Sequence, residues 1–434
     1  MFLFPSLPRS REGQRPATWP FVAVLFLLSS SGHAADFPPL TLDEAMQRAA
    51  AHAPGLDAQA ARLLAAQEDA ARAGRLPDPV LSAGIDNLTV TGADAFRLGA
   101  DEMTMQRIGV MQAWPSKWLR AAEREVARAQ ANAISDESVW VKRQVERAAG
   151  DAWIASWAAE KERAFLQAQR EDAERAARIA EAQLANGSGS AASALAADVA
   201  GADLESQLLA AETAVNAARA GLTRWLGDRA QAGLAAAPDF GSLTLPPARL
   251  LSSVGSHAEL AGWNARERAA EAAIEVARAR KRPRVAFGAS YGTRVAGLPD
   301  MATFEVTIDL PVFARNRQDR DIAARRAEAD AVHAEREEAT REHRETVERL
   351  LATWTGLRSE HARLIERVLP LAQDRREVAL AAYANGEPIQ AWLDARRDEV
   401  ALRRRAVQTE AALARAWLQL NTLSATDANT RIVP

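Results

Sequence analysis

The stretch Pro283–Pro311, PRVAFGASYGTRVAGLPDMATFEVTIDLP, breaks the texture of the chain around it. Its surroundings are Ala, Glu and Arg at helical spacing. Here the period is two. Val285, Phe287, Ala289 and Tyr291 alternate with Ala286, Gly288, Ser290 and Gly292. After a Gly- and Pro-containing turn, Phe304, Val306, Ile308 and Leu310 alternate with Thr303, Glu305, Thr307 and Asp309. Such alternation specifies strands with one apolar and one polar face. The two runs predict a hairpin with long helical patterns on both sides. An isolated hairpin is at best marginally stable in water, so its apolar face needs a cover.

The chain has 434 residues, a formal net charge of −3 and no cysteine. Charge balance gives no footprint for nucleic acid. Without cysteine there is no disulfide, thiolate metal site, thiol catalysis or lipid-modified N-terminal Cys. Residues 1–34 read as a secretory signal. Arg9, Arg11 and Arg15 precede the apolar run Phe21–Leu28, and Gly32-His33-Ala34 offers a cleavage site. No stretch supplies the ~20 apolar residues of a spanning helix. The expectation is an exported protein that enters a membrane, if at all, as strands.

From Leu40 the pattern is helical, with Thr41 and Glu44 as a capping box. A second helix runs from Leu56 to Gly74. Val80–Val90 and Glu102–Trp114 predict another hairpin. Helical rods then run from Pro115 to Ala185, roughly 100 Å at ~1.5 Å per residue, and from Ala191 to Leu226. The order repeats: a helix over Leu250–Arg280, the opening hairpin, a rod over Asn316–Ala384 and a last helix over Ile389–Leu423. Paired landmarks mark an internal duplication: His52 with His257, Pro79 and Gly84 with Pro283 and Gly288, Trp114-Pro115 with Leu310-Pro311, and Asn186-Gly187 with Asn385-Gly386. The predicted organisation is a signal peptide (1–34), a first repeat (35–228, hairpin 79–115, helical hairpin 116–226) and a linker (229–249). A second repeat (250–424, hairpin 283–311, helical hairpin 316–423) and a tail (425–434) complete it.

Each half thus contributes two strands of about ten residues, the length that crosses a bilayer. Spanning strands must close into a barrel, and the smallest outer-membrane barrels need about eight. Four strands per chain therefore require other copies; three copies would give twelve. The fold class expected is mainly α with a small β part: a long antiparallel α-helical barrel with a four-strand share of a trimeric transmembrane β-barrel.

Over essentially the whole mature chain this element order, the duplication and the paired Asn-Gly turns resemble the TolC family of trimeric outer-membrane efflux ducts. The stretches Arg75–Leu88 (RLPDPVLSAGIDNL) and Met103–Gln112 (MTMQRIGVMQ) resemble the heavy-metal efflux branch, the CzcC/CusC-like members. Many of those carry a lipidated N-terminal Cys, which this chain lacks. The resemblance implies a passive homotrimeric conduit in the outer membrane, with its helices in the periplasm. It also implies a periplasmic adaptor, an inner-membrane pump of the RND type that supplies the energy, surrounding outer-membrane lipid, and heavy-metal cations as cargo. A drug-efflux or type I secretion duct of the same fold is the alternative. A periplasmic coiled-coil adaptor or scaffold is the alternative of another class, disfavoured by four strands with lipid-compatible faces.

Site expectations follow from the same resemblance. Gly386–Ala395 resembles the region that constricts the periplasmic entrance. Asp394 falls on the family's Leu-Asp-Ala pattern and Asp398 lies one turn on, while the other familiar acidic position is Ala391 here. Three copies of Asp394 around an axis would favour cations; the plainer reading is a solvated Asp paired with Arg397 or Arg396. Asn186, Gly187, Asn385 and Gly386 supply the left-handed conformations of tight helix turns, and by resemblance these tips meet the adaptor. Val285, Phe287, Tyr291, Phe304, Val306 and Ile308 would face lipid, and Glu305, Thr307 and Asp309 water. Trp114, Trp118 and Phe313 flank the strand–helix junctions as an interfacial girdle or as junction packing.

Other motifs carry less. Met103, Met105 and Met111 share one predicted strand face, where thioether sulfur suits Cu(I) but ordinary packing suffices. His333 and His343 have no metal-ligand spacing, and His52 and His257 are read as structural residues at helix starts. No HExxH, no Ser/His/Asp arrangement and no Gly-rich phosphate loop occurs. Nothing points to an enzyme, a cofactor or a resident metal.

Overall fold

A computed structural model of the protein describes residues 38–294 and 298–423. The expected signal segment and C-terminal tail, and residues 295–297 of the second hairpin's turn, lie outside the described residues. Two helices open the chain, α1 (Leu42–His52) and α2 (Pro54–Arg72), followed by strands β1 (Val80–Asp86) and β2 (Met105–Trp114). Then come α3 (Lys117–Ala168), α4 (Arg170–Ala185) and α5 (Ala191–Leu226). The second half runs α6 (Pro247–Ser252), α7 (Trp263–Ala279), β3 (Arg284–Arg294), β4 (Met301–Asp309), α8 (Gln318–Arg363), α9 (Leu369–Ala384) and α10 (Gln390–Asn421).

The two hairpins do not stand apart. They form one antiparallel sheet in the order β1-β2-β3-β4, with β2 paired to β3 from Met105↔Arg294 to Trp114↔Val285. The helices keep the same order beside it: α2 packs on α3, α3 on α7, and α7 on α8. Each strand continues into, or out of, the helix with the corresponding place in the row. The sheet thus extends as a helical wall, and in the lower part α5 and α10 complete that wall against α3 and α8.

The main core lies where the helices of the two halves cross. Trp153, Ile154, Leu222, Val347, Trp354, Leu418 and Leu420 are buried there. The duplication is visible in hydrogen bonds. Trp153 of α3 donates its indole N–H to the Leu40 carbonyl at 2.9 Å, and Trp354 of α8 donates to the Phe240 carbonyl at 2.9 Å. Close helix packing has its own local cause at Gly150, where a Cβ would stand 2.8 Å from a Leu418 methyl.

Several spans differ from the sequence reading. The first rod breaks at Gln169, and the second changes through a π-helical turn at Leu364–Val368 before Pro370, which cannot donate to the helix ladder. The Leu250–Arg280 helix is instead α6, two 3₁₀ turns and α7, since Gly255 and the extended backbone at His257 interrupt it. Residues 229–249 are a packed strap rather than a loose linker. Buried Arg229 makes two 2.9 Å bonds to Glu44, holding that carboxyl below the usual range, and Phe240 fills the core. His52 ends α1 and is exposed, whereas His257 is buried.

Candidate functional site

The free ends of the helical hairpins are built by matching turns. Gly187 (φ +69°) and Gly386 (φ +102°) occupy the left-handed region that L side chains rarely adopt. In the first turn Gly187 N–H bonds to the Leu184 carbonyl at 3.1 Å and Ser188 N–H to Gln183 at 2.9 Å. In the second, Gly386 N–H bonds to Tyr383 at 3.0 Å and Glu387 N–H to Ala382 at 3.1 Å. Contrary to the expectation from sequence, Asn186 (φ −86°) and Asn385 (φ −90°) are not left-handed. Each is a C-cap residue at negative φ, and the glycine that follows takes the left-handed step because it has no Cβ. Asn385 also donates its amide to the Ala381 carbonyl. The two turns are tied together: Gln183 donates its side-chain amide to the Tyr383 carbonyl at 2.8 Å. Beneath them Ala176, Ala180 and Ala197 pack against Tyr383, Ile389 and Trp392. Small Ala on one side admits the large rings on the other.

One level up, a charged network joins the hairpins. Glu399 of α10 is 1% exposed. Its carboxylate meets Arg376 of α9 at 2.8 Å and Arg403 at 3.0 Å, and Arg376 also pairs with Asp172 of α4. Two carboxylates and two guanidiniums leave the network neutral. Arg396 reaches across to α5, donating to the Ala200 carbonyl at 3.2 Å, and burial lowers its pKa. Sequence reading misses this network. Its charges lie at ordinary helical spacing in an Arg-rich helix, and only the fold says which are buried.

The expected gate carboxylates stand elsewhere on α10. Asp394 accepts from Gln390 at 3.0 Å and pairs with Arg397 at 3.6 Å; Asp398 pairs with Arg375 at 2.7 Å. Within one chain both are half-exposed and neutralised, and they do not converge on each other.

The sheet separates its residues as the alternation expects. Register places Val285, Phe287, Ala289 and Tyr291 opposite Ile308, Val306, Phe304 and Ala302, all on one face. Ile108, Val110 and Trp114 of β2, and Leu81, Ala83 and Ile85 of β1, extend that face. Its large side chains are exposed, Phe304 at 83%. The other face carries Asp86–Arg107 at 2.7 Å and Arg284–Asp309 at 3.0 Å, with Glu305 and Arg294. Three acids face three bases. Met105 and Met111 lie on this polar face, while Met103 precedes β2. Both outer strands, β1 and β4, have an unpaired edge.

A second buried cluster lies where α8 passes the 3₁₀ turns. His257 Nδ1 and His343 Nε2 are 2.9 Å apart, His343 Nδ1 is 3.0 Å from Glu259, and Ser253 Oγ is 3.3 Å from His257 Nε2. Burial, then the neighbouring His343 and Arg147, push the His257 pKa down to about 4. Among the described residues no group of three or more His, Asp or Glu could hold a metal ion, and no helix is long and apolar enough to cross a membrane.

A sheet with one exposed apolar face runs into a wall of long helices. The chain has the fold of solved channels of this kind. It superposes on CusC, from a study of transmembrane channel formation, with a TM-score of 0.74 at 17% identity, covering 95% of this chain and 99% of that one. For VceC of Vibrio cholerae the TM-score is 0.67 at 20% identity, covering 89% and 97%. For the MtrE channel of Neisseria gonorrhoeae it is 0.64 at 17% identity, covering 88% of each. Among curated proteins no sequence matches it. Residues 253–426 match the outer membrane efflux protein family. The fold is shared along nearly the whole length of the chain, and the family match covers much of its second half.

Proposed function

We propose that the chain is the outer-membrane exit duct of a tripartite efflux system of the RND type, working as a homotrimer. The observation that carries this is the sheet: four strands, one exposed apolar face and two unpaired edges. An open edge has no place in hydrocarbon, and four strands are too few to enclose a pore. Three copies joined β4 to β1 remove every edge, put Val285, Phe287, Tyr291, Phe304, Val306 and Ile308 against lipid, and turn Glu305, Thr307 and Asp309 to water. The helical wall then continues into the periplasm as a tunnel.

In this reading the tips at Asn186-Gly187 and Asn385-Gly386 meet a periplasmic adaptor, and Asp394 and Asp398 line the entrance. An inner-membrane pump drives transport and the duct opens passively. Heavy-metal cations are the proposed cargo, supported by the branch-like stretches Arg75–Leu88 and Met103–Gln112. The balanced charges of the polar sheet face favour a second cargo reading, a drug duct, since that face gives cations no advantage.

Purified mature protein should need detergent, run as a trimer and conduct ions in planar bilayers; a soluble monomer would sink the channel reading. Asp394→Ala should change cation conductance if Asp394 lines the constriction, and unchanged conductance removes it. A deletion strain sensitised to metals but not drugs would support the metal cargo. The reverse pattern would replace it.

A further inference from the structure

Where the sheet meets the helices, the second half gathers positive charge. Arg278, Arg280, Lys281, Arg282 and Arg284 fall within seven residues without an acid. Arg315, Arg317 and Arg320 follow the last strand, and Lys117 and Arg120 begin α3. Several of these are paired: Arg278 with Glu275, Lys281 with Asp319 at 2.7 Å, Arg284 with Asp309 at 3.0 Å and Arg280 with Asp321 at 3.8 Å. Arg282 and Arg317 make no ion pair among the described residues. Both line a polar cleft of about 530 Å³ that also contains Arg280, Arg284, Asp309 and Asp321. Four guanidiniums against two carboxylates leave the cleft two charges positive.

The rim beside the cleft is apolar and uncovered. Trp114 ends β2 on the sheet's apolar face, and Leu310, Val312 and Phe313 are all more than 60% exposed. Trp118, half exposed on the first turn of α3, is flanked by two cations, the Arg282 guanidinium 4.5 Å and the Lys117 ammonium 5.1 Å from its ring. Aromatic residues at the boundary of an apolar face, with basic side chains next to them, are the arrangement that seats a protein at lipid headgroups. A free inorganic phosphate would use the arginines but not the apolar rim.

We propose that this junction binds the headgroup phosphate of an anionic phospholipid in the leaflet where the strands end. Arg282 and Arg317 hold the phosphate, while Trp114, Val312 and Phe313 rest against the acyl chains. The proposal builds on the outer-membrane channel reading and adds the chemistry that fixes the depth of the sheet in the membrane.

The test uses the mature trimer and vesicles of phosphatidylethanolamine with or without phosphatidylglycerol. Wild type should insert better with phosphatidylglycerol and should retain it in native mass spectrometry. At about one kcal/mol per basic residue near an anionic surface, removing two charges in Arg282→Gln/Arg317→Gln should weaken that preference about thirty-fold per chain. Arg282→Lys/Arg317→Lys should retain most of it, and Arg341→Gln/Arg349→Gln, the same charge loss far along α8, should change nothing. Millimolar inorganic phosphate should not displace the lipid. Equal insertion with and without phosphatidylglycerol overturns the proposal while leaving the channel intact. Displacement by inorganic phosphate makes the cleft a phosphate site and also overturns it. If the Gln pair instead dissociates the trimer with lipid preference unchanged, the rim is a contact between copies and the proposal fails. Failure of wild type to enter any vesicle removes the channel reading itself.

Discussion

Two tryptophans show how single residues tie the long helix of each half to the segment that precedes that half's first helix. Trp153 and Trp354 lie about 200 residues apart. Each is buried, and each donates its indole N–H to a backbone carbonyl outside the helices. Trp153→Phe keeps a ring but leaves the Leu40 carbonyl short of that donor, a loss of about 1–3 kcal/mol. Thermal melts of the detergent-solubilised protein should fall accordingly; an unchanged melt would mean that water replaces the indole. His257 gives a pH dependence. Unfolded, it titrates near its ordinary 6.5; folded, near 4. Its contribution is therefore complete above about pH 6.5 and is lost as pH falls toward 4, by roughly 3 kcal/mol per chain at most. Glu259, held low first by its bond to His343, adds a further loss below the ordinary carboxylate range. The groups around the ring (Ser253, His343, Glu259 and Arg147) supply one carboxylate and one guanidinium. His257→Gln should flatten the melting temperature between pH 6.5 and 4, and an unchanged slope would assign the acid sensitivity elsewhere.

At the scale of elements, the hairpin tips depend on turns below and charges above. Gly386→Ala must hold φ near +102° with a Cβ, a strain of about 1–2 kcal/mol. Hydrogen exchange should speed up at the tip and stay unchanged in the body of α9 upstream of Ala382. Equal exchange at the tip would show that the turn absorbs the added methyl. Glu399→Ala is more severe, because it removes the buried carboxylate that Arg376 and Arg403 share and leaves a gap beside Arg376. Breaking a buried pair costs roughly 3–5 kcal/mol. Exchange should rise in α9 and α10; unchanged exchange would show that Asp172 and Glu377 suffice to hold Arg376. The strands, the rods and both Asn-Gly turns are legible in the sequence because period, glycine and chain direction are local properties. The paired tryptophans and the Glu399 network are not, since burial of a charge or an indole is decided by a distant helix. The strap at 229–249 reads as a linker for the same reason: its Gly, Ala and Pro suggest loose chain, while Arg229 and Phe240 find partners only in the folded core.

For the whole molecule, the sheet decides what surrounds what. In one copy Phe287 and Thr307 belong to neighbouring strands, and register puts them on opposite faces: Phe287 faces Val306, and Thr307 faces Ala286. Their exposure is similar in kind, so water cannot tell them apart. A membrane can. If three sheets close into one barrel, Phe287 meets hydrocarbon and Thr307 meets the aqueous lumen. An arginine on the lipid face near the bilayer midplane costs about 2–4 kcal/mol per strand, and one in the lumen costs far less. With three copies per barrel the difference is applied three times. Phe287→Arg should therefore fail to insert, or insert as unstable trimers, while Thr307→Arg should insert normally and change conductance by adding a positive ring to a charge-balanced wall. Heat-resistant trimers on gels and single-channel recordings read the two effects separately. Equal insertion of both variants would contradict the assignment of faces, and with it the closure of the sheet by other copies.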